Sequence, residues 1–309
     1  MSETVTYRVK HTSTVSYAAE IAQARFNLRL RPYRWPGQVI LDDSLTVDPT
    51  PALMTEADGP YLVNTTRLQF TQPLHELTVT SRFHVAITQP PPPQSPLTIS
   101  QLREQAVLSR DLTVRSPAPY LFASRIAQLD PDIADWAAPM LQPDCNILDA
   151  AYALNHAVHE KIKYVSGSSN SRTSPADAFR AGRGVCQDQS HVMIAALRSH
   201  AIPAAYVSGY LNTLPPPGEE KLVGADAMHA WVAVWCGEGT GWVAFDPTND
   251  RLADTDHVTI GMGRDFADVS PIDGVFIGNT IQKLKYAVDV RRVDEDETEE
   301  AGAQAPAPS

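Results

Sequence analysis

Three short segments carry residues whose types and order could run acyl chemistry. In RAGRGVCQDQSHVMIAAL, Gly182 and Gly184 lead into Cys186, and a helix is expected to open at the thiol. The first N–H groups of a helix have no partner within it; together with the helix dipole they favour a thiolate. The same groups can bind a developing oxyanion, and small residues let a carbonyl approach closely. In DAMHAWVAVW, His229 heads a strand-like run, and in GWVAFDPTND, Asp246 ends the next one. Pro247 cannot continue a ladder, so the strand should stop there. If the two strands are adjacent and antiparallel, imidazole and carboxylate meet. A thiol needs a base within hydrogen-bond reach, and a carboxylate would set that base's tautomer and stabilise its charged form. None of the three segments is specific alone; a cysteine at a helix start is more often a packing residue. The order of cysteine, histidine on a strand and aspartate on the next strand is what points to a nucleophile.

These residues need helices and a sheet to position them, and the patterning supplies both. NILDAAYALNHAVHEKIKYV begins with Asn146, a good N-cap, and Ile147, Leu148, Ala151, Leu154, Val158 and Ile162 recur at helical spacing. A second helix is expected from Cys186 through Val192, Met193, Ala196 and Leu197, followed by strands at 204–211, 229–235 and 241–247. Before this, Leu77, Val79, Ser81, Phe83, Val85 and Ile87 alternate at period two, as do Val5, Tyr7, Val9 and Phe26, Leu28, Leu30. That alternation suits antiparallel strands with one buried face. QPPPPQSP at 89–96 favours an extended connector. The expected organisation is α+β: a β-rich, sandwich-like domain over 1–90, a Pro-rich linker over 91–98, a catalytic core over 99–293 and an acidic, disordered tail over 294–309.

Composition narrows the function. The net charge is -11, and DEDETEE at 294–300 holds six of the acids, so the body is mildly acidic without a basic stripe. That argues against nucleic-acid binding. No apolar run reaches membrane-spanning length and no secretory signal is visible, so a cytoplasmic location is expected. Cys145, Cys186 and Cys236 form no Cys-x-x-Cys pair and are too few for a disulfide framework. No close-spaced ligand pair or phosphate-binding loop is present, so no metal and no cofactor are expected.

GVCQD at 184–188, YVSGYL at 206–211, GADAMHAWV at 224–232 and GWVAFDPTND at 241–250 together resemble the core of the transglutaminase-like cysteine peptidase superfamily. RDFADVSPIDGVF at 264–276 is similar to the C-terminal signature of its bacterial subgroup, and YRVKHTSTVSY and RFNLRLRP to that subgroup's β-rich leading region. An aromatic-Gly-Asn turn frequent there is replaced here by ADGPYLVNTT. The resemblance implies a papain-like fold, with Cys186 as nucleophile, His229 as base and Asp246 as orienter. Tyr164 and Tyr210 fall in segments similar to that core's substrate cleft, where a phenol could meet substrate or simply pack. Asp188 could steer the helix start or repel acidic substrates. Trp231 shares His229's strand parity and could wall the cleft or fill the core. His191, five residues beyond Cys186, points away from it. The loop over 212–226 is expected to flank the site as a flap.

The chemistry to a thioester acyl-enzyme is common to hydrolysis and to acyl transfer. Hydrolysis of a peptide or protein amide is favoured, because no calcium-site loop suggests a calcium-activated cross-linker. Transfer to an amine is the alternative, and a binding module that merely keeps the fold is the third reading.

Overall fold

A computed structural model describes residues 3–212 and 228–293. The expected flap, apart from Asn212, and the acidic tail lie outside the described residues. The chain opens with six strands: β1 (Thr4–Ile21), β2 (Gln23–Leu28), β3 (Gln38–Asp48), β4 (Leu53–Asp58), β5 (Asn64–Phe70) and β6 (Leu74–Thr88). There follow α1 (Ile99–Leu108), α2 (Pro131–Ala137), α3 (Ile147–Lys161), β7 (Lys163–Tyr164), α4 (Pro175–Ala181), β8 (Arg183–Gly184) and α5 (Cys186–Ser199). The second half holds β9 (Ala204–Leu211), β10 (Met228–Trp235), β11 (Trp242–Asp246), β12 (Arg251–Leu252), β13 (His257–Gly263), α6 (Phe266–Val269), β14 (Ile272–Ile277) and β15 (Gln282–Val293). This is the expected mixed α+β class with antiparallel principal sheets.

Two four-stranded sheets, ordered β15-β1-β6-β3 and β14-β2-β5-β4, make the sandwich. Its last two strands come from the far end of the chain: β15 pairs with β1 from Thr6↔Val293 to Tyr17↔Gln282, and β14 pairs with β2. The expectation of one continuous core through 293 is therefore corrected, since residues 272–293 complete the sandwich. The long strands β1 and β6 serve two neighbours. Val15, Ile21, Leu77 and Val79 pack with Phe26, Leu28 and Leu68 between the sheets. Val5, Tyr7, Val9, Phe83 and Val85 instead pack on Tyr210, Val258 and Ile260 of the core. The proline segment has no regular structure and is tied down, with Ser95 Oγ donating to Cys236 O at 2.9 Å.

The core sheet runs β12-β11-β10-β9-β13. Its face carrying Ala230, Val232 and Val234 covers α5, whose Val192, Met193, Ile194, Ala195, Ala196 and Leu197 are all buried. A helix apolar on nearly every side belongs inside a core. Asn146 caps α3 as its residue type predicts, accepting from the N–H groups of Leu148 and Asp149. Among the described residues no helix is long and apolar enough to cross a membrane.

Candidate active site

Cys186 sits at the first position of α5, partly exposed, on the central helix of the core. Several contacts hold it there. Strand β8 lies parallel to β7, with Val165 N–H donating to Gly184 O at 2.8 Å. Asp188, in the first turn, accepts from Val185 N–H at 2.7 Å and from Ser169 Oγ–H at 2.5 Å through Oδ2. This satisfies one donor of the helix start, as a carboxylate at that position does. A side chain on Gly184 would place its Cβ 2.6 Å from Asp188 Cβ, so the approach to the thiol requires glycine.

His229 and Asp246 lie at the start of β10 and the end of β11, which pair antiparallel from Val232↔Phe245 to Trp235↔Trp242. His229 Nε2 is 2.9 Å from Asp246 Oδ2, and Cys186 lies near enough to the imidazole to act on its charge. Asp246 is fully buried. Burial alone would favour its neutral acid, but hydrogen bonds from His229 and His257 hold it well below the usual carboxylate range. An ionised carboxylate only accepts, so His229 carries a proton on Nε2, which donates to Asp246. Burial pushes His229 down, yet the bond to Asp246 and the nearby Cys186 outweigh this and raise it to about 10. The site therefore favours imidazolium at neutral pH. Thr248 Oγ1 donates to Gln189 Oε1 at 2.7 Å, and Gln189 Nε2 to Ile162 O at 2.8 Å, which ties the Asp246 turn to α5.

Two further partners of Asp246 were not identified from sequence. Asn249 Nδ2 donates to Oδ2 at 2.6 Å, and the N–H groups of Thr248 and Asn249 reach Oδ1 at 2.9 and 3.2 Å. Their signal was present: a short polar turn after the aspartate. The second is His257, at the head of β13, whose Nε2 lies 3.1 Å from the same Oδ2. Its place depends on sheet curvature, which has no local sequence signal. The donor atoms of His229, Asp246 and His257 lie within 4.8 Å of one another, a spacing that suits a metal ion. Read as hydrogen bonds, the same contacts have each Nε2–H donating to Oδ2, where Asn249 Nδ2 also donates.

The other expected site residues separate. Tyr164 is 57% exposed, and its phenol is raised by burial and then by the nearby Cys186 and Tyr286. Its strand position pairs with Gly184, two residues before the thiol. Tyr210 is fully buried, with its hydroxyl 2.8 Å from His11 Nδ1, so it joins core to sandwich rather than facing a cleft. Trp231 is also fully buried; it walls a cavity of about 640 Å³ with Trp35, Trp242 and His257, and neither Cys186 nor His229 lines that cavity. Asp188 is turned to the helix backbone, out of a substrate's reach. These three are corrected from cleft to framework. His191 is buried and accepts from Phe266 N–H at 3.2 Å, away from the thiol. Burial raises the Cys236 thiol to about 12.

A helix-borne thiol under a curled antiparallel sheet defines a transglutaminase-like, papain-like protein, and the comparisons agree. Residues 134–247 match the transglutaminase-like superfamily core, and residues 7–86 match the bacterial transglutaminase-like N-terminal region. The chain belongs to the transglutaminase-like superfamily. An uncharacterised protein of Mycobacterium tuberculosis strain H37Rv is 31% identical over 294 residues, 94% of each chain. One from Mycobacterium leprae is 32% identical, covering 93% of this chain and 98% of its own. A crystal structure from Cytophaga hutchinsonii, described as a "putative cysteine protease", superposes with a TM-score of 0.72 at 25% identity, over 95% of this chain and 92% of that one.

Proposed function

We propose that this protein is a cysteine-dependent hydrolase of peptide or protein amide bonds, with Cys186 as nucleophile, His229 as acid and base, and Asp246 as orienter. The observation that carries this is one imidazole hydrogen-bonded to a buried carboxylate and lying near a thiol at the start of a helix. The Cys186 thiolate attacks the carbonyl carbon and a C–S bond forms. The oxyanion develops beside the free N–H groups at the start of α5. His229 gives its proton to the leaving amine as the C–N bond breaks, which leaves a thioester. Neutral His229 then takes a proton from water, whose oxygen attacks the thioester, and the C–S bond breaks to release acid and restore the thiolate–imidazolium pair. Tyr164, exposed and paired with Gly184 just before the thiol, is the residue we assign to the acyl-donor side. Three unpaired cysteines suit a reducing, cytoplasmic setting.

The description of the Cytophaga structure as a protease favours water as acceptor. The match to a transglutaminase-like core keeps transfer to an amine as the second reading. A glutamine-rich peptide library, with and without an added primary amine, separates them by mass spectrometry. Cleavage or deamidation by wild type and not by Cys186→Ala supports hydrolysis. Amine adducts at glutamine with loss of ammonia would replace it by transfer, and no product in either sample would remove the enzyme reading.

A further inference from the structure

We propose that His257 is a positioning residue for this reaction, fixing Asp246 Oδ2 in the place where His229 needs it. The inference rests on the function proposed above. Asp246 Oδ2 accepts from His229, Asn249 and His257, while Oδ1 accepts from two backbone N–H groups of the following turn. The donors at 248 and 249 belong to Asp246's own turn and move with it. His229 is the group to be aimed. Apart from His229 itself, His257 is the one donor among these that ties the carboxylate to a separate strand.

That strand is far away along the sheet. With order β12-β11-β10-β9-β13, two strands lie between β11 and β13. In a flat sheet this would be a gap of about 14 Å. The two side chains span part of that gap, and their 3.1 Å contact needs the sheet to curl so that β11 and β13 approach; the β13 ladder shifts register between Thr259 and Gly261, just beyond His257. Such irregularities bend a strand.

His257 is itself held on every side. It is 4% exposed, the edge of Trp231's ring system meets it at 5.2 Å between centroids, and its Nδ1 lies 2.9 Å from Asp254 Oδ1 and 3.1 Å from Asp254 N. Among the described residues the charged groups facing it are thus Asp246 and Asp254, with His229 at 6.2 Å between ring centroids and Arg251 bound to Asp254 at 2.7 Å. Because the ionised Asp246 takes the Nε2–H, Nδ1 either accepts from Asp254 N–H in the neutral ring or donates to Asp254 Oδ1 in the charged one.

The test reads Cys186 alkylation by iodoacetamide from pH 4 to 9, by intact-protein mass, in wild type, His257→Gln, His257→Asn, His257→Met and Asp246→Asn, with thermal melts alongside. Glutamine places an amide N–H where Nε2–H stood. Asparagine is too short to reach Asp246, and methionine has no donor; either serves if the other does not fold. The non-donors are expected to slow alkylation at pH 6 by about 10- to 100-fold. They should also move its acid limb up by about one to two pH units, as burial regains its hold on Asp246. His257→Gln should stay near wild type. If the non-donors follow the wild-type curve while Asp246→Asn slows, the role of His257 is refuted and the proposed function stands. Equal slowing in glutamine and non-donor variants would also refute it, marking a steric role. A wild-type thiol no faster than a cysteine peptide would overturn both readings.

Discussion

Two buried histidines, one where the sandwich meets the core and one beside the thiol, are held in opposite charge states. His11 lies on β1 with Nδ1 2.8 Å from Tyr210 Oη and Nε2 2.7 Å from Ser13 Oγ. Its partners are neutral, and burial pushes it down to about 4. His229 is nearly as buried, yet a carboxylate on one edge and a thiol on the other raise it to about 10. Desolvation acts on both rings in the same direction, so the partner decides the charge. The interface uses a neutral imidazole as a hydrogen-bonded spacer. The site uses a charged one as a proton store.

Removing the charged partners should break this contrast most severely. Cys186→Ala is expected to abolish turnover with its melting temperature preserved. Asp246→Asn should lower kcat by about 10⁴, as loss of the orienting carboxylate does elsewhere; steady-state kinetics on a cleaved peptide would measure it, and a loss under about tenfold would remove Asp246 from the mechanism.

The next effect is on stability against pH. Unfolded His11 binds its proton near pH 6.5 but the folded ring only near pH 4, so the unfolded state holds more protons between these values. Stability should fall by roughly 3 kcal/mol across that window. His191, also held near 4 by burial, adds to the same acid flank. The sign reverses for His229: its contribution is full below pH 6.5 and is lost as pH rises toward 10. Urea melts from pH 4 to 10 should therefore fall on both flanks, with His11→Gln making the acid flank shallower, where His191 retains its share, and leaving the alkaline one.

Smaller effects sharpen the geometry. Gly209 pairs with His229, and a Cβ there would sit 2.1 Å from Val258 O and 2.5 Å from the Trp231 ring. Gly209→Ala should cost about 1–3 kcal/mol by overpacking, with a loss of alkylation rate as the strand under His229 shifts. Asp188→Ala removes a bond at the start of α5 and should cost about 1 kcal/mol in a urea melt; an unchanged midpoint would mean the helix start is held by its other contacts.

The elements nearest the chemistry were readable because each has a local cause. Asn146 and the apolar spacing after it mark α3, and Pro247 ends β11 where a missing N–H must end a ladder. The runs at 204–211 and 229–235 appear as strands within one residue. What stayed hidden depends on partners distant in the chain. The return of β15 to β1 pairs residues more than 260 positions apart. Parity placed Trp231 on His229's face but could not show that the cleft stops short of it, nor that Tyr210 meets the sandwich. His257 joins the site only because the sheet curls.

The most direct test is an NMR titration of histidine-labelled protein, following the ring nitrogens of His229 and His11 in wild type and Cys186→Ala. The expected result is imidazolium at His229 to above pH 8 in wild type, with a lower midpoint in Cys186→Ala, while His11 stays neutral down to about pH 5. A His229 ring that is neutral at pH 7 in the wild-type protein would contradict the thiolate–imidazolium pair on which the proposed chemistry depends.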